Sequence, residues 1–452
     1  MAFSRILVAN RGEIAVRIID ACHSMGLEAV LVVSEADRDG LPARLADRAI
    51  CIGPPHSSDS YLNAAAIVET AVAVQADAVH PGYGYLAESA SFAELCEENG
   101  LVFVGPSPQV IRLMADKVSA KDLASSAGIP VAPGGRSLTS PAQATSAAEE
   151  IGFPLILKAV WGGGGRGMRI VREPDELPDA FRISAAEAGA AFGQAELYAE
   201  RYVESARHVE VQVVADGQGE VVHLGDRDCT IQRRHQKVIE EAPAALVSIA
   251  ARHRMTEDAV TLSREVGYVN AGTVEFLVDM ETDEYYFLEM NTRIQVEHPV
   301  TEMITGADLV AAQIQIAEGR PLPWLQGDIV FSGHSIECRI TAESPTDFAP
   351  SPGPIHCWSP PTFGGVRVDS HCYSGYVVPP FYDSLLAKLV TWGTDRSSAM
   401  QVAQQALSEF KIIGPQTNIP LLSEVLAHQD VAMGQVDTTW LERHVKTKSS
   451  GT

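Results

Sequence analysis

The chain has 452 residues, 46% of them hydrophobic and 20% charged, the make-up of a packed protein of about three domains at roughly 150 residues each. Lys plus Arg number 34 and Asp plus Glu 58, and the net charge of −24 argues against nucleic acid or an anionic membrane as the main partner while leaving room for a local phosphate site. No apolar run reaches transmembrane length, residues 6–9 are too short a core for a signal peptide, and seven scattered cysteines without a CxxC pair fit reduced thiols in a cytoplasmic protein.

The first stretch alternates strand and helix. Residues 5–9 are a short apolar run. Residues 12–25 put Ile14, Ile18, Ile19 and Cys22 on one helical stripe that Gly26 ends, and 29–33 read as a second buried strand. A helix over 64–73, a strand at 77–80 before a glycine-rich turn, and a strand at 102–106 continue the pattern. Such alternation predicts a doubly wound parallel sheet, ending near residue 115. The turn Ala9-Asn10-Arg11-Gly12 lacks the GxGxxG fingerprint, so this part reads as scaffold rather than a dinucleotide site. Residues 116–330 begin with helices and become strand-rich, with strands expected at 155–160, 168–171, 209–215, 221–225, 272–279 and 285–290. Residues 331–446 read as mixed α/β, with a strand at 385–392 and a helix at 397–410. The polar tail, 447–452, is expected to be disordered. The fold class is thus α/β with α+β.

Gly162-Gly-Gly-Gly-Arg-Gly167 matches GxGxxG, but β-like residues follow it, and Met168 and Arg169 stand where a P-loop needs Lys and Ser or Thr. What remains is a hairpin with a glycine tip, whose bare backbone N–H groups can cradle phosphate oxygens. Lys158 sits just before it in an apolar strand, where a phosphate is its natural partner.

Residues 273–279 and 284–290 flank a polar turn and predict an antiparallel hairpin with Glu275 directly opposite Glu289. Like charges so placed repel, and a shared cation resolves the conflict. Oxygen-only ligands select Mg²⁺ or Mn²⁺. Beyond the hairpin, Glu289, Asn291, Arg293, Gln295 and Glu297 alternate along what reads as one polar strand face, with Met290, Ile294 and Val296 on the other. Arg293 offers a cationic fork for a small oxyanion and Glu297 a general base beside it. Gln232-Arg-Arg-His-Gln-Lys237, followed by Glu240 and Glu241, reads as an anion-binding loop.

Together these residues resemble the biotin carboxylase family of ATP-grasp enzymes over about residues 3–446. The most specific segments are His80-Pro-Gly-Tyr-Gly-Tyr85, the glycine loop, Arg227 to Lys237, and Glu289 to Pro299. The resemblance implies an N-terminal domain over 1–115, a central ATP-grasp domain over 116–330 with a mobile lid at about 132–204, and a C-terminal domain over 331–446. It assigns Lys117, Lys158, Gly164, Gly165, Glu200, Arg201, Tyr202, Val203, His208, Gln232, His235, Glu275 and Glu289 to ATP. Glu275, Glu289 and Asn291 would hold Mg²⁺ or Mn²⁺, two ions in all. Lys237, Arg293, Gln295 and Val296 would hold bicarbonate, with Glu297 as its base; Tyr83 and Arg339 would lie at the biotin ring. The implied catalytic set is Lys237, Arg293, Glu297 and Arg339, forming carboxyphosphate and then N1-carboxybiotin as the first half-reaction of an acetyl-CoA or related carboxylase. The family also implies a homodimer through Arg17, Phe363 and Arg367. A Met-Lys biotin attachment site is absent, so biotin is expected on a separate carrier protein, with a carboxyltransferase as further partner. One departure is Val160-Trp161 before only four consecutive glycines, which is expected to stiffen the lid hinge. The alternative readings are an ATP-grasp ligase for another acceptor and an idle nucleotide-binding subunit.

Overall fold

The computed structural model describes residues 2–161 and 168–449. Near the N-terminus five parallel strands lie in the order Arg48–Gly53, Glu28–Ser34, Arg5–Val8, Ala78–His80 and Val102–Phe103. The helix Gly12–Ser24 buries Ile14, Ile18, Ile19 and Cys22 as their helical spacing requires. Strand order reverses beside Arg5–Val8, which pairs with Glu28–Ser34 on one side and Ala78–His80 on the other. The crevice at the carboxyl ends of strands at such a reversal is where these sheets hold ligands. Residues 9–12, read as scaffold rather than a dinucleotide site, stand at this crevice. Asn10 Nδ2 donates to the carbonyls of Pro81 and Tyr83, at 2.7 Å each, and Arg11 and Gly12 line the main cleft.

The strands Gly134–Leu138, Leu197–Arg201, Leu155–Ala159 and Arg169–Val171 form a small antiparallel sheet with its own apolar core of Leu138, Leu155, Leu157, Phe181 and Leu197. Two helices, Pro141–Ile151 and Leu177–Phe192, belong to the same unit. The hairpin around the glycine loop is present, with Leu155 opposite Val171 and Leu157 opposite Arg169. Its tip, residues 162–167 with Gly164 and Gly165, lies outside the described residues.

An eight-stranded antiparallel sheet carries the rest, in the order Tyr285–Asn291, Asn270–Asp279, Ala206–Ala215, Val221–Arg233, Gln236–Ala242, His334–Thr341, Leu385–Gly393 and Val366–Ser370. The sheet runs without a break across residue 330, because Gln236–Ala242 pairs with His334–Thr341. Val221–Arg233 extends well past the strand expected at 221–225. Buried polar residues at 226–228 hid its continuation, since Asp226, Arg227 and Asp228 all find partners inside the protein.

Two expected segments are corrected. The strand beginning at Tyr285 ends at Asn291 instead of continuing to Glu297. Residues 292–297 form an irregular passage that sinks Ile294 into the apolar core shared with the N-terminal sheet, and Pro299, near the start of the helix His298–Thr305, favours the break. At the other end, residues 447–449 are not a disordered tail, because the helix Trp440–Ser449 continues through them.

Glu241 fastens this sheet to the helix Arg396–Glu409. Its carboxylate meets His334 Nε2 at 2.7 Å and the Arg396 fork at 2.7 and 3.0 Å. Burial alone would raise the Glu241 carboxyl, but the bonds to His334 and Arg396 outweigh it and bring it from 4.5 to about 2. A carboxyl depressed in the folded state stabilises above its unfolded pKa and loses that stabilisation as pH falls through the folded one. Glu241→Gln is therefore expected to lower stability by about 2–3 kcal/mol at neutral pH. Urea unfolding at a series of pH values should show that deficit shrinking between pH 4.5 and about 2.

Candidate active site

The four-stranded sheet, the eight-stranded sheet and the loops of the N-terminal domain enclose one cleft of about 1160 Å³. Pockets for a single small ligand usually run to roughly 300–1,000 Å³, so this one has room for a nucleotide beside a second substrate. At the four-stranded sheet it presents Ile156, Leu277 and Leu288 as an apolar lining, with Glu200, Arg201, Tyr202 and Val203 at the exit of the strand Leu197–Arg201. Lys158 is buried on Leu155–Ala159 and pairs with Glu200 at 2.7 Å; a carboxylate, not only a phosphate, thus partners it. Lys117 opens the helix Lys117–Ser126 and is hydrogen-bonded to Glu289.

The expected hairpin register holds, since Glu275 stands opposite Glu289, with an irregularity just beyond. The four side chains on Glu275 arrive from both sides. Lys237 Nζ and Asn291 Nδ2 each lie 2.9 Å from its Oε1, Gln295 Nε2 lies 3.2 Å from the same oxygen, and His208 Nε2 lies 3.1 Å from Oε2. Burial would raise the Glu275 carboxyl, but Lys237 and His208 hold it well below the usual range. Glu275, Glu289 and Asn291 thus stand on neighbouring strands and carry carboxylate and amide oxygens, a donor set suited to a hard divalent cation, although here Asn291 turns its Nδ2 to Glu275 and its Oδ1 to Arg293.

The residues after Asn291 converge although they are not a strand. Arg293 donates from Nε to Glu88 at 2.9 Å and from Nη1 to Gln295 at 2.9 Å, which leaves its fork fixed at the cleft wall. Val296 lines the cleft, and its carbonyl accepts from Lys388 at 3.1 Å. Glu297 is fully buried and meets Lys237 at 2.6 Å and Arg339 at 3.0 Å. Burial would raise its carboxyl, yet Lys237, Arg339 and Arg227 together hold it far below the usual range, so it is ionised at neutral pH. Arg339 sits on His334–Thr341 and lines the same end of the cleft as Tyr83, whose hydroxyl donates to Glu13.

The basic loop is a two-residue hairpin turn in which Arg234 and His235 both have positive φ, 48° and 63°. Neither is glycine, so the backbone is strained there, as it is more often at functional sites. The turn places Gln232, His235 and Lys237 on the cleft wall. Arg233 lines the cleft as well and stacks 3.6 Å from the centre of the Phe348 ring.

Every described residue singled out for catalysis or ligand binding therefore lies along one cleft, apart from Glu297, which reaches it through Lys237 and Arg339. Arg17, Phe363 and Arg367, the expected dimer contacts, lie elsewhere. Arg17 and Arg367 both bind Glu302. Sequence reasoning missed Glu210, and named Glu240 after the basic loop without giving it a role. Glu210 accepts from Lys237 at 2.5 Å and from the fully buried Arg227 at 2.5 Å, and stands opposite Glu275. The signal was the alternation His208, Glu210, Gln212 against Val209, Val211, Val213, the same pattern that drew attention to residues 289–297. Lys121, one helical turn after Lys117 and buried against Glu200, was missed as well.

The folds of known enzymes match this arrangement. Family models match as the biotin carboxylase N-terminal domain over residues 2–111, the carbamoyl-phosphate synthase L chain ATP-binding domain over 116–325, and the biotin carboxylase C-terminal domain over 337–443. The chain belongs to the biotin carboxylase family, and so to the ATP-dependent ligases. It is 50% identical over 442 residues to biotin carboxylase 1 of Bacillus subtilis, covering 97% of this chain and 98% of that one. It is 49% identical over 441 residues to the biotin carboxylase of Pseudomonas aeruginosa, covering 97% and 98%. Among solved structures, a Campylobacter jejuni biotin carboxylase in complex with a β,γ-ATP compound superposes with a TM-score of 0.96 at 47% identity, over 98% and 99% of the two chains. The biotin carboxylase domain dimer of Hydrogenobacter thermophilus 2-oxoglutarate carboxylase, with MgADP, ADP and bicarbonate, gives 0.94 at 46%, over 98% of each.

Removing one partner from a buried ion pair leaves an uncompensated charge and costs about 3–5 kcal/mol. Among the described residues, Glu210→Gln leaves Arg227 with neutral hydrogen-bonding partners alone, Gln212, Thr273 and Thr301. A loss of that size in unfolding free energy, read from urea denaturation, is expected, together with a fall in turnover as Lys237 loses one of its three carboxylates.

Proposed function

We propose that the cleft carries out ATP- and bicarbonate-dependent carboxylation of biotin. The observation that carries the reading is the convergence of Lys237, Arg293, Arg339 and an ionised Glu297 beside a carboxylate pair at the end of a nucleotide-sized slot. Lys117, Lys158, His208, Gln232 and His235 face the phosphates and sugar of ATP, and Glu200 to Val203 hold the base against Ile156 and Leu288. Gly164 and Gly165, which lie outside the described residues, are assigned to the same nucleotide by the resemblance. Glu275, Glu289 and Asn291 hold Mg²⁺ or Mn²⁺, which when bound offsets negative charge on the phosphoryl oxygens.

Bicarbonate sits between Lys237, Arg293, Gln295 and Val296. Glu297 takes its proton. So depressed a carboxyl is a weak base, but Lys237 and Arg293 stabilise the anion that the proton leaves behind and so ease its removal. The same cations stabilise charge as bicarbonate oxygen attacks the γ-phosphorus and carboxyphosphate forms. Carboxyphosphate breaks down to CO₂ and phosphate, the phosphate takes the biotin N1 proton, and the resulting enolate captures CO₂. Arg339 faces that enolate and Tyr83 packs near the ring. The lid excludes water from the intermediate, with Trp161 at its hinge.

Biotin arrives on a separate carrier protein and a carboxyltransferase completes the reaction. The chain works in the cytoplasm as a homodimer through a face that includes Arg17, Phe363 and Arg367. Dimeric organisation of the Hydrogenobacter thermophilus domain supports this.

ADP release should depend on bicarbonate and rise on adding free biotin. Arg293→Ala and Glu297→Gln are each expected to lower biotin-dependent turnover by at least about 100-fold with ATP KM changed little. Biotin-dependent turnover retained in both variants would remove this mechanism. ATP cleavage that needs bicarbonate but ignores biotin would favour another carboxyl acceptor.

A further inference from the structure

Behind Arg339 lies a second pair of facing carboxyl groups, distant in role from Glu275 and Glu289. In the pairing of Gln236–Ala242 with His334–Thr341, Glu240 stands directly opposite Glu337, and both are fully buried. Their surroundings differ. Glu240 Oε1 accepts from both Nε and Nη2 of Arg339 at 2.5 Å. Among the described residues its Oε2, and both oxygens of Glu337, have no hydrogen-bond partner. Two ionised carboxylates facing one another away from water repel strongly, so one of them keeps its proton. The one with no cation bonded to it is Glu337.

We propose that Glu240 and Glu337 are a one-proton carboxyl pair that positions Arg339, Glu240 holding the charge and the guanidinium while Glu337 holds the proton. This rests on the reading of Arg339 as the group beside the carboxyl acceptor. Arg339 is pulled two ways, towards Glu240 at 2.5 Å and towards Glu297 at 3.0 Å. With Glu240 ionised the guanidinium is anchored to the strand behind it. With Glu240 neutral that hold weakens and Glu297 draws the guanidinium forward, which also ties up the base. Glu337 as a neutral acid lets Glu240 stay ionised, because a second negative charge in its place would drive a proton onto Glu240.

The groups facing the pair come from every neighbouring element. Arg339 lies on the same strand as Glu337, Lys237 on the strand of Glu240, Cys229 on Val221–Arg233, and Glu297 just before the helix His298–Thr305. Lys388 approaches Glu337 from Leu385–Gly393, and Tyr83 from the N-terminal domain. In this setting burial pushes Glu240 up to about 7, with Arg339 opposing, and pushes Glu337 well above the carboxylate range, with Glu240 as the next cause. Biotin-dependent turnover should therefore decline as pH falls through about 7, while nucleotide binding at the far end of the cleft does not.

The test compares Glu240→Gln, Glu240→Asp, Glu337→Gln and Arg339→Gln in one assay of ADP release, with and without free biotin, from pH 5.5 to 9. Glu240→Gln should lower biotin-dependent kcat about tenfold at pH 8, with ATP KM within about twofold, and should lose the acid limb near neutrality. Glu240→Asp, which keeps the charge, should recover part of that loss. Glu337→Gln replaces a neutral acid by a neutral amide of the same shape, so its kcat and acid midpoint should stay near those of the parent. Infrared difference spectra at pH 8 should show a protonated-carboxyl band in the parent that Glu337→Gln lacks, a readout independent of turnover. An acid midpoint displaced downwards by more than about one pH unit in Glu337→Gln would put the charge on Glu337 and overturn the assignment. Full activity in Glu240→Gln while Arg339→Gln is impaired would equally show that Glu240 positions nothing. Full biotin-dependent activity in Arg339→Gln would instead overturn the reading of the acceptor site, and this proposal with it.

Discussion

The ammonium of Lys237 is bonded at once to Glu210, Glu275 and Glu297, at 2.5, 2.9 and 2.6 Å. These carboxylates come from two strands and from the turn before a helix, and three negative charges so close could not share a buried space without it. Burial would lower the Lys237 ammonium, but the carboxylates and Cys229 around it push it well above its ordinary range, so the charge is permanent. The geometry of the cleft depends on this contact. Glu275 is held where Asn291, Gln295 and His208 can reach it, and Glu297 is held ionised next to Arg339.

Charge alternates outward from that centre. Arg227 neutralises Glu210 from behind, Arg339 links Glu297 to Glu240, and Lys388 links Glu13 to the Val296 carbonyl. Such networks hold side chains to a single arrangement, because any displacement leaves a buried charge unpaired. A site that must bind an oxyanion, a metal-bound polyphosphate and a developing enolate in turn needs cations fixed before the substrates arrive, so that little reorganisation remains for the reaction itself. The overall charge of −24 is no obstacle, because these cations are concentrated at one cleft.

Much of this was legible in the residues. The helix Gly12–Ser24 and the hairpin that sets Glu275 against Glu289 follow from apolar spacing and from the position of a polar turn. The convergence of Asn291, Arg293, Gln295 and Glu297 was anticipated for a partly wrong reason. Their alternation looked like a strand face, whereas they lie on an irregular passage after the strand ends. Glu210 was hidden because a buried polar residue in a valine-rich strand resembles an ordinary solvated face. The facing of Glu240 and Glu337 was hidden because only the pairing of strands about a hundred residues apart brings them together.

Residue order alone was enough to specify the local elements, the glycine hairpin, the carboxylate pair and, through its motifs, the family to which the chain belongs. These depend on neighbours close in the chain, where turn chemistry and periodicity act directly. Which carboxylate receives which cation emerges only in the folded protein. So do the antiparallel sheet that crosses residue 330, the ionised state of Glu297 and the unpartnered oxygens of Glu337. The charge state of a buried acid depends on burial and on the nearest opposite charge, and both are set by strands that meet only after the chain has folded.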